Sequence, residues 1–276
     1  MGAFSGKFGT VNTVPAVRQW QISDTITLPE YVASNTLRGK GRKSGISDWS
    51  GSYQAYGGQP AVMPGTSFSF AGYTAPENET LAGTGVVKSG TAVVSSVAIV
   101  WDFAANNVIS HTVNFEGNSA LSSNPAGSPY DDAADPVVYT PGECPAIVDE
   151  DTDEVTHVTT ATLTISSSNP SYANSSTSQG QRRKSGIIDF TLSITREDST
   201  FFYSKGADVE LNLYVTPTLF WVLKWAKVQD YTNFVINPET GAIISHTMNF
   251  AMNGFKVGTG PGNIILPDTN LYWGVA

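Results

Sequence analysis

Asp149, Asp151 and Asp153 alternate along the chain as the first oxygen ligands of a calcium loop would. The pattern then fails. The position that needs glycine for the sharp turn holds Glu154, and the twelfth position, where a bidentate Glu belongs, holds Thr160. A solvated acidic loop is the better reading, with loose divalent binding as the alternative. A serine nucleophile would need an elbow of the G-x-S-x-G type, and none occurs. Cys144 is the single cysteine, which excludes an intrachain disulfide and a cysteine-built zinc site and suggests a free thiol in a reducing compartment. Gly258-Thr259-Gly260-Pro261-Gly262 lacks both the Lys-Ser/Thr ending and the helix of a phosphate loop, so it reads as a turn. Of the three histidines, His157 stands alone beside the acidic run, whereas His111 and His246 occupy matching places in two similar β-patterned stretches. Matching placement implies a shared structural role in or beside a core. No catalytic, metal or cofactor set assembles, and a non-enzyme is expected.

The other concentrations of chemistry are two basic clusters, Arg38, Lys40, Arg42 and Lys43, then Arg182, Arg183 and Lys184. They lack the interleaved aromatics of a nucleic-acid groove. They also sit on an acidic chain, with 15 Lys and Arg against 24 Asp and Glu and a formal charge of -9. That balance argues against nonspecific nucleic-acid binding, which needs clustered cations to release counterions. Pairing with carboxylates of the acidic loop, in the same subunit or a neighbouring one, makes better electrostatic sense. The two clusters and Asp149, Asp151 and Asp153 are therefore candidates for subunit interfaces.

The clusters open a stretch that occurs twice, Arg42-Lys43-Ser44-Gly45-Ile46-Ser47-Asp48-Trp49 and Arg183-Lys184-Ser185-Gly186-Ile187-Ile188-Asp189-Phe190. Ser34-x-Thr36-x-x-Gly39 and Ser175-x-Thr177-x-x-Gly180 precede the two copies at the same spacing. The histidine stretches Ile109–Phe115 and Ile244–Phe250 close each half in the same order. Such self-similarity reads as one β-domain duplicated and fused, with a first domain over 1–118, an acidic Pro-rich linker and exposed loop over 119–156, and a second domain over 157–276. Gly45, Asp48, Trp49, Gly186, Asp189, Phe190, His111 and His246 are its signature, with Trp49 and Phe190 as core plugs.

The elements that carry these residues read as strands. Gln19–Leu28, His157–Ser166, Asp189–Thr195 and Asp208–Val215 alternate apolar and polar residues. Ala105-Asn106-Asn107 turns Thr91–Phe103 back into Val108–Phe115 as a hairpin. Thr218–Lys227 fits either a helix or a strand, and the repeat favours strand, because the matching first-half residues Gly83–Ala92 make a poor helix. No apolar run approaches the ~20 residues of a membrane span, so a soluble protein without a membrane partner is expected.

With these landmarks placed, the chain resembles the tail tube (major tail) proteins of tailed bacteriophages. The likeness rests on Arg42–Ser52 with Pro64-Gly65 after it, on Gly83-Thr84-Gly85-Val86-Val87, and on the hairpin ending Asn114–Asn118. In the second half it rests on Arg183–Phe190 and Asn249–Gly254. The second half departs from the pattern, since Thr191-Leu192-Ser193 follows where Ser-Gly-Ser would stand. The resemblance implies a mainly β fold of two tandem β-sandwich or barrel domains, usually with a flanking helix that cannot be located here. It implies self-assembly into rings, three duplicated chains making a pseudo-hexamer, and rings stacked with other tail proteins into a virion tube assembled in the host cytoplasm. DNA would pass through the lumen without specific binding. The competing expectation is a tandem β-sandwich surface or adhesin module that stacks a glycan on Tyr53, Tyr56 and Tyr73.

Overall fold

In the long strands, alternate side chains divide between a core and an open face. The computed structural model describes residues 10–11, 14, 16–32, 40–74, 86–125, 137–149, 151, 153–172, 181–184, 186–236, 244–252 and 271–275. The chain first forms β1 (Thr10–Val11), β2 (Val17–Ile26), β3 (Glu30–Tyr31), β4 (Gly41–Arg42), β5 (Ser47–Tyr56), β6 (Ser67–Tyr73), β7 (Val86–Asp102), β8 (Asn107–Gly117) and β9 (Ser122–Pro125). After a 3-10 turn at Pro141–Glu143 come β10 (Val148–Asp149), β11 (Val158–Ser167), β12 (Ser171–Tyr172), β13 (Arg182–Arg183), β14 (Ile188–Arg196), β15 (Asp208–Tyr214), β16 (Leu219–Val235), β17 (Ser245–Met252) and β18 (Leu271–Val275). The protein is mainly β, and the described residues contain no α-helix.

The pairing scheme occurs twice. Strand β1 pairs with β6, β2 with β5, β3 with β4 and β5 with β8, while β7 pairs with β6, β8 and β9. In the same way β10 pairs with β15, β11 with β14, β12 with β13 and β14 with β17, while β16 pairs with β15, β17 and β18. All these pairs are antiparallel. One further pair, β7 with β11 over Ser96–Asp102 and Thr160–Ser166, joins the two sets into a 14-stranded sheet. A single apolar cluster runs beneath it from Val11 to Phe250.

Long strands β7 and β16 change partners along their length. Val87–Val93 of β7 lies beside β6, which folds over the sheet so that Phe70 stacks on Trp49 and Phe115 at centroid distances of 5.9 and 4.8 Å. Beyond the irregularity at Val94/Ser96, β7 runs between β8 and β11. The ambiguous stretch after Pro217 is strand, because Trp221 and Leu223 are buried in register with Leu213 and Leu211 of β15. Asn106 supplies the left-handed residue of the β7–β8 hairpin at φ 49°, and Asp102 accepts hydrogen bonds from Ala105 N (3.0 Å) and Asn107 Nδ2 (2.7 Å).

The expectation of a linker and exposed loop over 119–156 needs correction at a few described residues. Strand β9 adds to β7, β10 adds to β15, and Ile147 and Val155 are each only 2 % exposed. The acidic composition conceals apolar residues spaced widely enough to bury singly. The turn read at Gly258–Gly262, the spacings Ser34–Gly39 and Ser175–Gly180, and Gly83–Gly85 lie outside the described residues.

Candidate functional site

Gly45, Gly186, Trp49 and Phe190 of the signature hold structural places. Gly45 and Gly186 each let the chain press against the preceding strand end. A Cβ on Gly45 would sit 2.2 Å from Thr27 Oγ1, and one on Gly186 would sit 1.7 Å from the Ser168 carbonyl oxygen. Trp49 and Phe190 are 2 % and 1 % exposed. The Trp49 indole donates to the Ser119 carbonyl at 2.7 Å and leaves room only for glycine at position 117, where a Cβ would lie 2.4 Å from Nε1.

His111 and His246 are buried on the core side of β8 and β17. Each directs Nδ1 at a carbonyl, Gly57 O at 2.7 Å and Asp198 O at 3.1 Å, so Nδ1 carries the proton. Neither Nε2 has a hydrogen-bond partner in the structure. Burial lowers the pKa of His111 from its ordinary value, and the Gly57 carbonyl opposes this only in part. Because the folded pKa lies below that of the unfolded chain, stability is fully present above about pH 6.5 and falls as pH drops from there through the folded pKa. Over that window the slope approaches ~1.4 kcal/mol per pH unit, and His111→Gln should flatten it. Urea midpoints of both proteins between pH 7 and 5 check this, and parallel curves would contradict it.

His157 is exposed and lies 3.5 Å from Asp198. Burial, and secondarily Glu143, pushes the Cys144 thiol up to about 11, the reverse of what a nucleophile needs. Asp149 is engaged locally, accepting from the backbone amides of Asp151 (3.1 Å) and Asp153 (2.9 Å) and from the Tyr203 hydroxyl (3.1 Å). Among the described residues no cluster of His, Cys, Asp and Glu could hold a metal.

The basic clusters pair elsewhere than with the acidic loop. Lys40 and Arg42 both reach Glu30, at 2.7 Å each. Lys43 and Lys184 lie over the rings of Tyr31 and Tyr172 at 5.8 and 6.0 Å, matching places in hairpins β3–β4 and β12–β13. Arg38 lies outside the described residues. Arg182 and Arg183 bind the two halves of the chain together. Arg182 Nη1 donates to the Asn118 carbonyl at 2.6 Å. The Arg183 guanidinium, 8 % exposed, meets Asp48 at 2.9 Å and Glu116 at 3.2 Å and donates to the Gly117 carbonyl. Both acids are more than a third exposed, so each ion pair is worth at most about 1 kcal/mol. The bonds to chain carbonyls give this contact its specificity. Asp189, the counterpart of Asp48, is exposed.

The open face of the sheet carries rows of short polar side chains that end on carboxylates. One row across the strands reads Gln21, Ser52, Asn114, Ser96, Ser166 and Asp189, and another reads Thr162, Ser193, Asn249 and Asp230. Asn114 donates to Ser96 Oγ at 2.9 Å, and the matching Asn249 bonds Ser193 at 2.5 Å and Asp230 at 2.6 Å. A hollow of about 430 Å³ on this face is lined by Gln21, Ser23, Ser50, Ser52, Asn114 and Glu116 among others. Gly51 faces the core like Trp49 and Tyr53, and a Cβ there would lie 2.7 Å from the Phe115 ring, whereas the buried Leu192 holds the matching place in the second half. The tyrosine platform does not form. Tyr53 is 1 % exposed on the core side of β5, and Tyr56, beneath Arg18, is on the opposite side.

Sequence reasoning missed Arg196, 1 % exposed, which ties β14 to the loops at Thr156 and Thr200. The available signal was a lone arginine ending an alternating strand. No protein-family model matches the chain, and no curated protein matches its sequence. No helix among the described residues is long and apolar enough to cross a membrane.

Proposed function

We propose that this protein is a structural subunit of a tailed bacteriophage, a tail tube protein that assembles through its sheet edges into rings and a hollow tube that conducts DNA. The observation that carries the reading is the sheet itself. Eight strands run in the order β2-β5-β8-β7-β11-β14-β17-β16, built from one pairing scheme used twice. Its two ends are unmatched among the described residues, since β2 pairs only with β5 and β16 beyond Val228 pairs only with β17. Free edges of this length invite pairing with another chain, and closure into a ring removes them. Three copies would complete the pseudo-hexamer that the resemblance implies.

The neutral polar face supports the same reading. Turned inward, Ser, Thr, Asn and Gln rows with carboxylates at their ends offer phosphates no cationic ladder to hold, so DNA slides without sticking. An adhesin is the weaker reading, because its aromatic platform is split between two faces of β5. Electron microscopy of the concentrated protein tests the proposal. Rings or hollow tubes are expected, and monomers at every concentration would overturn it.

A further inference from the structure

We infer that the junction joining the two halves is the template for the contact between copies, and that Arg42 of one copy seats on Asp189 of the next. The inference rests on the self-assembly reading and specifies its contact. Inside the chain, β7 meets β11 with Ser96 opposite Ser166 and Ala98 opposite Thr164, while Arg183 locks onto Asp48. Both sides of that junction recur at the free ends. Ser23 and Thr25 stand against Ser50 and Asp48 in β5 as Thr164 and Ser166 stand against Thr191 and Asp189 in β14. Asp230 and Thr232 stand against Asn249 and Thr247 as Ser96 and Ala98 stand against Asn114 and Thr112. Laying β2 of one copy on β16 of another in the template register therefore places Ser23 opposite Thr232 and Thr25 opposite Asp230.

Charge and apolar surface fit the same arrangement. Arg42 occupies in β4 the place of Arg183 in β13, since Arg42 pairs with Glu30 and Arg183 with Ser171 in the two small hairpins. Its side chain is 57 % exposed, and Asp189, which would receive it, is exposed too. The edges to be covered carry Ile26 (49 % exposed) on one side and Phe234 (44 %) and Val235 (49 %) on the other. Glu30 has no acidic counterpart, because Ser171 stands there. Its carboxylate holds Arg42 at 3.0 Å (Nε) and 2.7 Å (Nη2) in the single chain. Glu30 thus parks the arginine until Asp189 of another copy competes for it.

Cysteine pairs test the register in a Cys144→Ser background. Ala98→Cys with Thr164→Cys should close a disulfide within the chain and calibrates the template. Ser23→Cys with Thr232→Cys should give disulfide-linked ladders between chains under mild oxidation, whereas Gln19→Cys with Thr232→Cys, about 13 Å out of register, should not. Asp189→Arg should raise the concentration needed for assembly at least several-fold, and adding Arg42→Asp to the same chain should restore it. Assemblies that form without the Ser23–Thr232 crosslink and ignore the charge reversal would overturn this inference and leave the self-assembly reading standing. Crosslinked ladders that never become rings or tubes would support the contact and overturn the tube. Protein that stays monomeric without crosslinks overturns both.

Discussion

Trp49→Ala is expected to cost about 3–5 kcal/mol of folding stability, read as a large drop in the urea midpoint followed by circular dichroism. The indole fills the place where the β6 layer closes over β5 and β8, with ring centroids of Phe70 and Phe115 at 5.9 and 6.0 Å. Gly90 and Gly117 face it with bare backbone, so nothing on those sides can swell into the void. Truncation also strips the Ser119 carbonyl of its indole donor. Residues 117 and 118, next to that carbonyl, are the seat of Arg183 and Arg182, so the damage should spread to the junction between the halves. Trp49→Phe keeps most of the volume but not the hydrogen bond, and should cost about 1–2 kcal/mol. A loss below 1 kcal/mol for Trp49→Ala would mean that the aromatic cluster is not a central support of the first half.

The same tryptophan shows what could be read in advance. Its period-2 neighbours and the repeat of Arg-Lys-Ser-Gly-Ile-x-Asp-aromatic announced a buried aromatic opening a strand, because strand burial is a local, alternating property. The β7–β8 hairpin was legible for the same reason, whereas the strand after Pro217 fitted a helix as well and only the repeat favoured strand. The partners of the basic clusters were not. Arg183 finds Asp48 across 135 residues of chain, and no local pattern distinguishes it from Arg42, which finds Glu30 in its own hairpin. The difference lies in one substitution, Glu30 against Ser171, whose meaning appears only once both hairpins are placed. The buried parts of 119–156 were hidden likewise, because Ile147 sits in a run of only three apolar residues and Val155 stands alone after the acidic run, too little to produce a periodicity.

Arg196→Ala is expected to cost about 3 kcal/mol, at the low end of what breaking a buried ion pair costs, because Asp198 on the other side keeps some access to water. The guanidinium donates to the Thr156 carbonyl at 2.8 Å and the Thr200 carbonyl at 3.2 Å, meets Asp198 at 3.1 Å, and stacks over Phe202 at 5.0 Å. Its removal leaves two carbonyls without this donor and opens space beneath Phe202. The first half places Ala55 at the matching position, paired with Val17 as Arg196 is with Val158, so the fold itself does not require a cation there. The requirement comes from the carbonyls of Thr156, before β11, and Thr200, after β14, for which no other donor is among the contacts described. Arg196→Met should therefore recover part of the loss through packing, leaving about 2 kcal/mol for the missing donors. Acid sensitivity separates the roles further. Asp198 is held down to about 2 chiefly by the Thr200 backbone amide, with Arg196 a lesser influence. Since this folded pKa is depressed, the associated stability is present above about pH 4 and is lost as pH falls toward 2. Arg196→Ala should shift the whole curve of urea midpoint against pH downward while keeping most of that acid limb. If the limb vanished with the arginine, the ion pair rather than the loop amide would be setting the charge of Asp198.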